Sequence, residues 1–218
     1  MITRAYARIV FRKTGLLRFL GHLDVLRTFD RAIRRAKLPV EYSQGFSPHA
    51  HLSFAMPLPV GMIGERELCA IDLVSDWQPV AILKGLSRQL PPDLGIVEAQ
   101  VLPRVKRSPF ADLVAADYRA EIADVEPQRL EDAVAALLQR DELIIHRTTK
   151  SRELDIDLRS RIKVLRVEDG ALFMRLGLTD QDLAKPDEVL RLLTQEIGPV
   201  QVQCLARTAL WDQGELSI

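Results

Sequence analysis

Three of the chain's four histidines lie between Leu17 and Phe54, among most of the side chains suited to bind an anion. His22 and Asp24 follow Gly21 at the start of a predicted helix, where free N–H groups and the positive end of the helix dipole favour an anion. Asp24 is explained equally well as a helix cap. His22, with Arg18 just before it, could hydrogen-bond a phosphate or act in acid–base chemistry.

The loop after this helix combines two aromatic rings, two hydroxyls, an amide, an imidazole and a glycine able to take unusual backbone angles. Aromatic faces between hydrogen-bonding groups suit a nucleobase or another planar ligand. Phe46 could instead fill the domain core. The loop residues predicted to bind the ligand are Tyr42, Ser43, Gln44, Gly45, Phe46, Ser47 and His49.

Arginines recur every three to four residues along the predicted helix, which places their guanidinium groups on one face. These are Arg27, Arg31 and Arg34 or Arg35. Such a ridge can contact successive phosphates and would make binding salt-dependent. The alternative is a solvated face on which the arginines pair with Asp24 and Asp30. Residues 1–60 carry ten Lys and Arg against three Asp and Glu, which favours the ridge.

Two further groups of residues are candidate binding positions. His49 and His51 would face the same side of an extended strand, a spacing that could hold a metal. No cysteine or clear carboxylate partner lies nearby in the sequence, so we predict no metal site and no cofactor. In the second half, Lys150 and Arg152 are predicted as additional ligand contacts. The alternating residues that follow, Glu153 to Asp157, would neutralise part of that basic group.

The length and amino-acid composition limit the class of protein to which the chain can belong. The 218 residues suit two domains of about 100 residues. A net charge of zero hides a balance of +7 in residues 1–60 and −7 in the remainder. Cys69 and Cys204 are predicted to be buried free thiols of a reducing compartment. No apolar run approaches the ~20 residues of a membrane span, and we expect a cytoplasmic protein with no membrane partner.

Apolar periodicity predicts a β-α-β-β-α-β order in each half. In the first half the strands are 6–13, 51–56, 68–74 and 96–102 and the helices 22–36 and 79–90. In the second half the strands are 118–123, 143–148, 153–159, 163–167, 172–176 and 202–210 and the helices 127–139 and 186–197. This order predicts an α+β protein of two tandem ferredoxin-like domains with antiparallel sheets, 1–103 and 112–218, joined by a basic, proline-bracketed linker.

Residues 8–61 also carry a long run of family signatures. They are Arg12-Lys13-Thr14-Gly15, Leu17-Arg18-Phe19-Leu20-Gly21-His22-Leu23-Asp24, Arg34-Arg35-Ala36, Leu38-Pro39, Tyr42-Ser43-Gln44-Gly45-Phe46-Ser47-Pro48-His49, Leu52-Ser53-Phe54-Ala55 and Pro57-Leu58-Pro59-Val60-Gly61. In these residues the chain resembles the bacterial radical SAM-linked proteins, a family catalogued as a domain of unknown function. The residues from Lys150 to Arg159 form a second, weaker match.

The resemblance implies a partner but no reaction. Members are usually fused to, or encoded beside, a radical SAM enzyme with a cobalamin-binding domain. This chain has no CxxxCxxC motif, so we expect a separate radical SAM protein as its partner. The leading hypothesis is a non-catalytic accessory protein that binds an RNA or ribonucleoprotein substrate. The alternatives are an RNA endonuclease using His22 and His49 as acid and base, and a pure protein-interaction module.

Overall fold

A computed structural model describes residues 5–75, 77–104, 107–148 and 153–213. These residues form four α-helices, two short 3-10 helices and ten strands, which confirms the predicted α+β class. They group into two compact units, with the boundary between Asp112 and Leu113. The predicted linker directly precedes that boundary.

The first unit contains four strands and two α-helices. They are β1 (Ala5–Lys13), α1 (His22–Ala36), β2 (Leu52–Phe54), β3 (Ile63–Leu73), α2 (Pro79–Ser87) and β4 (Ile96–Pro103). The 3-10 helix Gly15–Phe19 lies between β1 and α1, and a second one, Pro92–Leu94, precedes β4. The strands pair in the order β4-β1-β3-β2, and every pairing is antiparallel.

The core of this unit lies between the sheet and its two helices. Ile9 at the centre of β1 is opposite Cys69 of β3 and Ala99 of β4. Phe29 and Ile33 of α1 are fully buried against this sheet. Three phenylalanine rings, Phe11, Phe29 and Phe54, pack edge-to-face with centroids 5.0 to 5.7 Å apart. Such an arrangement stabilises aromatic pairs beyond their buried area.

Helix α1 has the predicted bounds, but its buried face is rotated from the predicted one. It ends where Lys37 adopts a left-handed conformation with φ of 52°, two residues before Pro39. The predicted apolar stripe began at Leu23 and Leu26. Leu23 is in fact 63% exposed, and Val25 is buried in its place. The assignment of Leu23 to the core was therefore wrong.

The second unit begins with a longer strand than predicted. Its elements are β5 (Leu113–Ala123), α3 (Pro127–Leu138), β6 (Ile144–Thr148), β7 (Glu153–Asp157), β8 (Ile162–Glu168), β9 (Ala171–Gly177), α4 (Pro186–Ile197) and β10 (Gln201–Asp212). Within the unit, β10-β5-β9-β8 pair in that order, all antiparallel. The turn between β8 and β9 has positive φ at Asp169 and Gly170, as the favoured Asp-Gly hairpin requires.

Strands β6 and β7 depart from the predicted repeat. They pair only with each other among the described residues, as a separate two-stranded sheet. Arg147 of β6 forms a bidentate pair with the buried Glu188 of α4, at 2.7 Å to each carboxylate oxygen. This contact attaches the β6–β7 hairpin to α4. In the main sheet of the unit the neighbour of β9 is β8, and not β6 or β7.

In the described residues, the helices are all too short or too polar to cross a bilayer. Neither Cys69 nor Cys204 forms a disulfide bond in the described part of the chain, as predicted. Cys69 is buried, whereas Cys204 is only partly buried, which corrects the prediction for the second cysteine.

Candidate functional site: the clamped loop and the first helix

Residues 42–50, here called the clamped loop, are held against α1 by Asp30 and Arg34. One carboxylate oxygen of Asp30 accepts the Arg34 Nε–H at 2.8 Å, and the other accepts the Ala50 N–H at 3.0 Å. Arg34 also donates to the carbonyl oxygen of Pro48. A charged pair on one helical turn therefore fixes the far end of the loop.

The loop is closed on itself by backbone and hydroxyl contacts. The Ser43 N–H donates to the His49 carbonyl at 2.8 Å, and the His49 N–H donates to Ser43 Oγ at 3.1 Å. At its tip Gly45 has a φ of 132°, a conformation that residues with a Cβ rarely adopt. The loop is thus a defined hairpin-like structure, and Ser43 has a structural role within it.

The two loop aromatics have opposite environments. Tyr42 is half-buried against the core, and the Arg34 guanidinium covers its ring at 4.9 Å. Phe46 is fully exposed at the loop tip, so the interpretation of Phe46 as a core residue was wrong. Gln44, Ser47 and His49 are exposed beside it. Phe46 is the ring available to stack on a planar ligand.

Some arginines of the predicted ridge form ion pairs within the chain, and the others are exposed without one among the described residues. Arg34 is occupied by Asp30 and the loop, and Arg27 lies 3.6 Å from Asp24 in an exposed pair. Arg31 makes only a long contact of 3.5 Å to the Thr28 hydroxyl, and Arg35 is exposed. Neither forms an ion pair among the described residues, so both guanidinium groups are open to an anion.

The Asp30 carboxyl is perturbed by its surroundings. Burial alone would raise its pKa, but the hydrogen bonds from Arg34 and from the Ala50 N–H, with the Arg34 charge, bring the pKa below the usual 3.8. The clamp therefore favours the carboxylate form of Asp30.

His22 lies in a separate pocket that the sequence did not reveal. The pocket is lined by Phe11, Lys13, His22, Val25, Phe54, Met56, Leu58 and Glu67. Lys13 and Glu67 are 2% and 3% exposed, and the Lys13 ammonium donates to the Leu20 carbonyl at 2.9 Å. The His22 ring packs edge-to-face on Phe54 at 5.3 Å. Buried ionisable groups around a concavity are typical of functional sites, though ion-pair networks also produce them.

The structure does not bring His22 and His49 together. His22 precedes Asp30 by eight residues on α1, which is about 12 Å along the helix axis. His49 is next to Ala50, whose N–H binds Asp30. Two residues acting as acid and base on one phosphodiester must both reach it within hydrogen-bond distance. The positions of these histidines therefore give no support to a shared acid–base role on one phosphodiester.

The chain matches the model of one protein family, described as an uncharacterized protein conserved in bacteria (DUF2344), over residues 7–186. The chain belongs to this family. The match spans the clamped loop, α1 and the His22 pocket. No curated protein matches the chain.

Another group in this DUF2344 chain has residue types that could hold a metal. Glu41, His51 and Asp72 place one ligand atom each within 4.8 Å of one another. His51 therefore has two carboxylates beside it. The sequence did not indicate this group, because Asp72 is distant in sequence and is brought to His51 by β3. Arg104 lies 2.6 Å from Glu41 and 3.0 Å from Asp72, so its guanidinium already forms an ion pair with both carboxylates. This arrangement fits an ion-pair network better than a metal site.

Three residues important to these sites were missed from the sequence. The sequence indicates Asp30 only as a partner that would mask the arginines, and it indicates no site role for Lys13 or Glu67. A lysine at the end of an alternating strand is ordinarily exposed, and only the pairing of β1 with β3 brings Glu67 near it. Lys150 and Arg152, predicted as additional contacts, lie outside the described residues.

Proposed function

We propose that this protein is a non-catalytic accessory protein that binds RNA, or the RNA of a ribonucleoprotein, through the clamped loop and the exposed arginines of α1. One observation carries the proposal. The fully exposed Phe46 is presented by a loop that Asp30 and Arg34 fix to the helix that bears Arg31 and Arg35. A stacking ring beside cationic groups is the combination that binds single-stranded nucleic acid.

The fixed loop supports binding for an energetic reason. A flexible loop would lose conformational entropy when it orders around a ligand, and that loss would weaken binding. Here the intramolecular contacts of Ser43, His49 and Asp30 already order the loop. Base stacking on an aromatic ring contributes about 1–3 kcal/mol per base.

The partner part of the proposal is a radical SAM enzyme on a separate chain, to which this protein would present its substrate. It rests on the sequence resemblance alone. The test is co-elution of the two purified proteins in size-exclusion chromatography, with and without nuclease treatment. Co-elution that nuclease abolishes would indicate an RNA bridge, and absence of co-elution in both conditions would contradict the partnership.

We also interpret both units as ferredoxin-like. The strand orders β4-β1-β3-β2 and β10-β5-β9-β8 support this interpretation, since each has the first and third strands of a βαββαβ unit at the centre. In the second unit, β6 and β7 would then be an insertion between the first helix and the second strand.

RNA binding is tested by fluorescence anisotropy of a labelled 20-nucleotide single-stranded RNA at several KCl concentrations. We expect affinity to fall as salt rises, and Phe46→Ala to weaken binding about 5- to 100-fold. The double variant Arg31→Gln with Arg35→Gln should also lose two phosphate contacts. The slope of the logarithm of the binding constant against the logarithm of the KCl concentration should then become less steep by about 1.4.

The matched control is Arg88→Gln, which removes an exposed arginine at the end of α2 in the same unit. Equal weakening by Arg88→Gln would indicate a diffuse charge effect. Unchanged affinity in Phe46→Ala, or no binding of the wild-type protein, would refute the proposal.

A further inference from the structure

Four large apolar side chains are exposed near the start of α1, away from the clamped loop. They are Leu16, Phe19, Leu23 and Val60, exposed by 80%, 53%, 63% and 64%, and we call them the Leu16 patch. Single exposed apolar residues are normal, but a group of them in one place marks an interaction site.

Local geometry places these residues close together. In a 3-10 helix residues i and i+3 eclipse, so Leu16 and Phe19 point to the same side. The Gly61 N–H donates to the Arg18 carbonyl at 2.9 Å, and a Cβ at Gly61 would lie 4.0 Å from the Phe19 ring. Val60 therefore lies beside the 3-10 helix. Leu23 follows in the first turn of α1, four residues after Phe19.

Arg18 gives the patch an unsatisfied polar group. Its guanidinium lies over the Phe19 ring at 4.9 Å. Its Nε is buried and has no hydrogen-bond acceptor in the part of the chain that the structure describes. Buried donors nearly always have a partner. A partner's carboxylate can reach this Nε only if the Arg18 side chain turns outward on docking, and it can then accept two parallel N–H bonds from the guanidinium.

The surrounding charge favours an acidic ligand. Residues 1–60 contain ten basic and only three acidic residues. All three acidic residues are already paired with arginines, Asp24 with Arg27, Asp30 with Arg34 and Glu41 with Arg104. Asp93 lies against Gly15, next to Leu16, so part of this positive charge is compensated locally, and it is the excess carried by residues 1–60 as a whole that favours an acidic partner.

We propose that the Leu16 patch docks an amphipathic segment of a second protein that carries acidic residues beside its apolar face. Apolar side chains of that segment cover Leu16, Phe19 and Leu23, and one of its carboxylates accepts from Arg18. Aromatic rings and arginine at the centre of a contact are characteristic of protein interfaces. This surface is separate from the clamped loop, so the inference does not depend on RNA binding.

Two other occupants fit less well. RNA bases stack on planar rings, and the patch has one, Phe19, over which the Arg18 guanidinium already lies. Leu16, Leu23 and Val60 offer aliphatic surface without hydrogen-bonding groups. A second copy meeting this patch about a two-fold axis would bring the same positive surface against itself, including Arg18 against Arg18. A partner of opposite charge avoids that repulsion.

The test is photo-crosslinking in living cells of the full chain carrying p-benzoylphenylalanine at position 16, followed by nuclease treatment and mass spectrometry of the crosslinked peptides. We expect one partner peptide with clustered apolar residues and a net negative charge. Val80, 61% exposed on α2 of the same unit, is the matched control position. Adding Arg18→Gln or Leu23→Ser should lower the crosslink yield at least fivefold, and adding Arg88→Gln should leave it unchanged.

Several results would overturn the inference. They are a crosslink to another copy of this chain, a crosslink to RNA alone, a neutral or basic partner peptide, or no yield above that of position 80. Circular dichroism of each variant verifies folding. Since Leu23 is mainly exposed, Leu23→Ser tests the patch even if Arg18→Gln fails to fold. If the wild-type protein binds no RNA but still forms the crosslink, the proposed function is refuted and this inference stands.

Discussion

Asp30 and Arg34 lie one turn apart on α1 with 2.8 Å between Oδ2 and Nε, and both also bind the loop that follows the helix. The ion pair therefore does more than neutralise two surface charges. It orients the Arg34 guanidinium over Tyr42 and toward Pro48, and it leaves the second Asp30 oxygen for the Ala50 N–H. The position of Phe46 in space depends on this pair.

Asp30→Asn should release the clamped loop. The substitution removes a charge-assisted bond to Arg34 and weakens the acceptor for the Ala50 N–H, so we expect a loss of about 1–3 kcal/mol in the free energy of unfolding. Hydrogen exchange of the Ala50 and Ser43 amides should accelerate, and RNA affinity should fall. Asp24→Asn is the matched control, because its pair with Arg27 is long and exposed and should contribute less than 1 kcal/mol. Equal effects of the two variants would contradict the clamp.

Acid should weaken the same contact in the wild-type protein. The pKa of Asp30 in the folded state is lower than its usual 3.8, so its contribution to stability is complete above pH 3.8 and is lost as pH falls through the folded value. In urea denaturation, the stability difference between wild type and Asp30→Asn should be constant from pH 7 to 5 and shrink below pH 3.8. A difference that persists unchanged at pH 2 would refute this assignment.

Asp157 should behave in the same way in the second unit. Its carboxylate accepts the Leu143 and Arg159 N–H groups, both at 2.8 Å, and these two bonds lower its pKa below 3.8. Asp157→Asn should therefore destabilise the protein at neutral pH, and its stability should converge with that of wild type below pH 3.8. The pKa is measured directly by NMR titration of the side-chain carboxyl carbon. A value at or above 3.8 would contradict the role of the two bonds.

The bounds of α1 were predictable, but its orientation was not. The spacing of apolar residues and the proline at position 39 indicate the extent of the helix, and these signals are local in sequence. Leu23 and Leu26 belong to one possible apolar face of the helix and Val25 to another. Phe29 is part of both. The structure buries Val25 beside His22 and Phe54, and the position of Phe54 depends on how β2 pairs with β3.

The candidate site was predictable only in part, for the same reason. Its residue types were visible in the sequence, and the exposure of Phe46, Arg31 and Arg35 agrees with the proposed contacts. The roles of Asp30 and Arg34 depend on a contact between residues 20 positions apart. The attachment of the separate β6–β7 hairpin to α4 likewise depends on the long-range ion pair of Arg147 with Glu188. No local sequence pattern indicates this pair.

The two thiols should differ in reactivity. Burial raises the pKa of Cys69 well above its usual range, so little reactive thiolate forms and reagents cannot reach it. Cys204 is partly exposed. In native protein, we expect one equivalent of thiol to react with Ellman's reagent, and mass spectrometry should assign it to Cys204. Cys69 should react only in denaturant. Labelling of Cys69 at the rate of Cys204 in native protein would contradict the buried position of β3.

Glu188→Ala should be among the most destabilising substitutions in the second unit. Glu188 is 1% exposed and holds Arg147 through both oxygens, and it also accepts the Lys185 N–H at 2.9 Å. Removing one member of a buried ion pair leaves the other charge uncompensated and costs about 3–5 kcal/mol.

The double variant Arg147→Met with Glu188→Met distinguishes this explanation from a simple loss of packing. Replacing both charges by apolar side chains of similar size removes the uncompensated charge, so it should recover at least half of the loss in urea denaturation. If the double variant is as unstable as Glu188→Ala, the hydrogen bond to Lys185 or the helix start, and not the buried charge, determines the stability of α4. The hairpin β6–β7 should nevertheless lose its attachment in both variants, which hydrogen exchange of the β6 amides would detect.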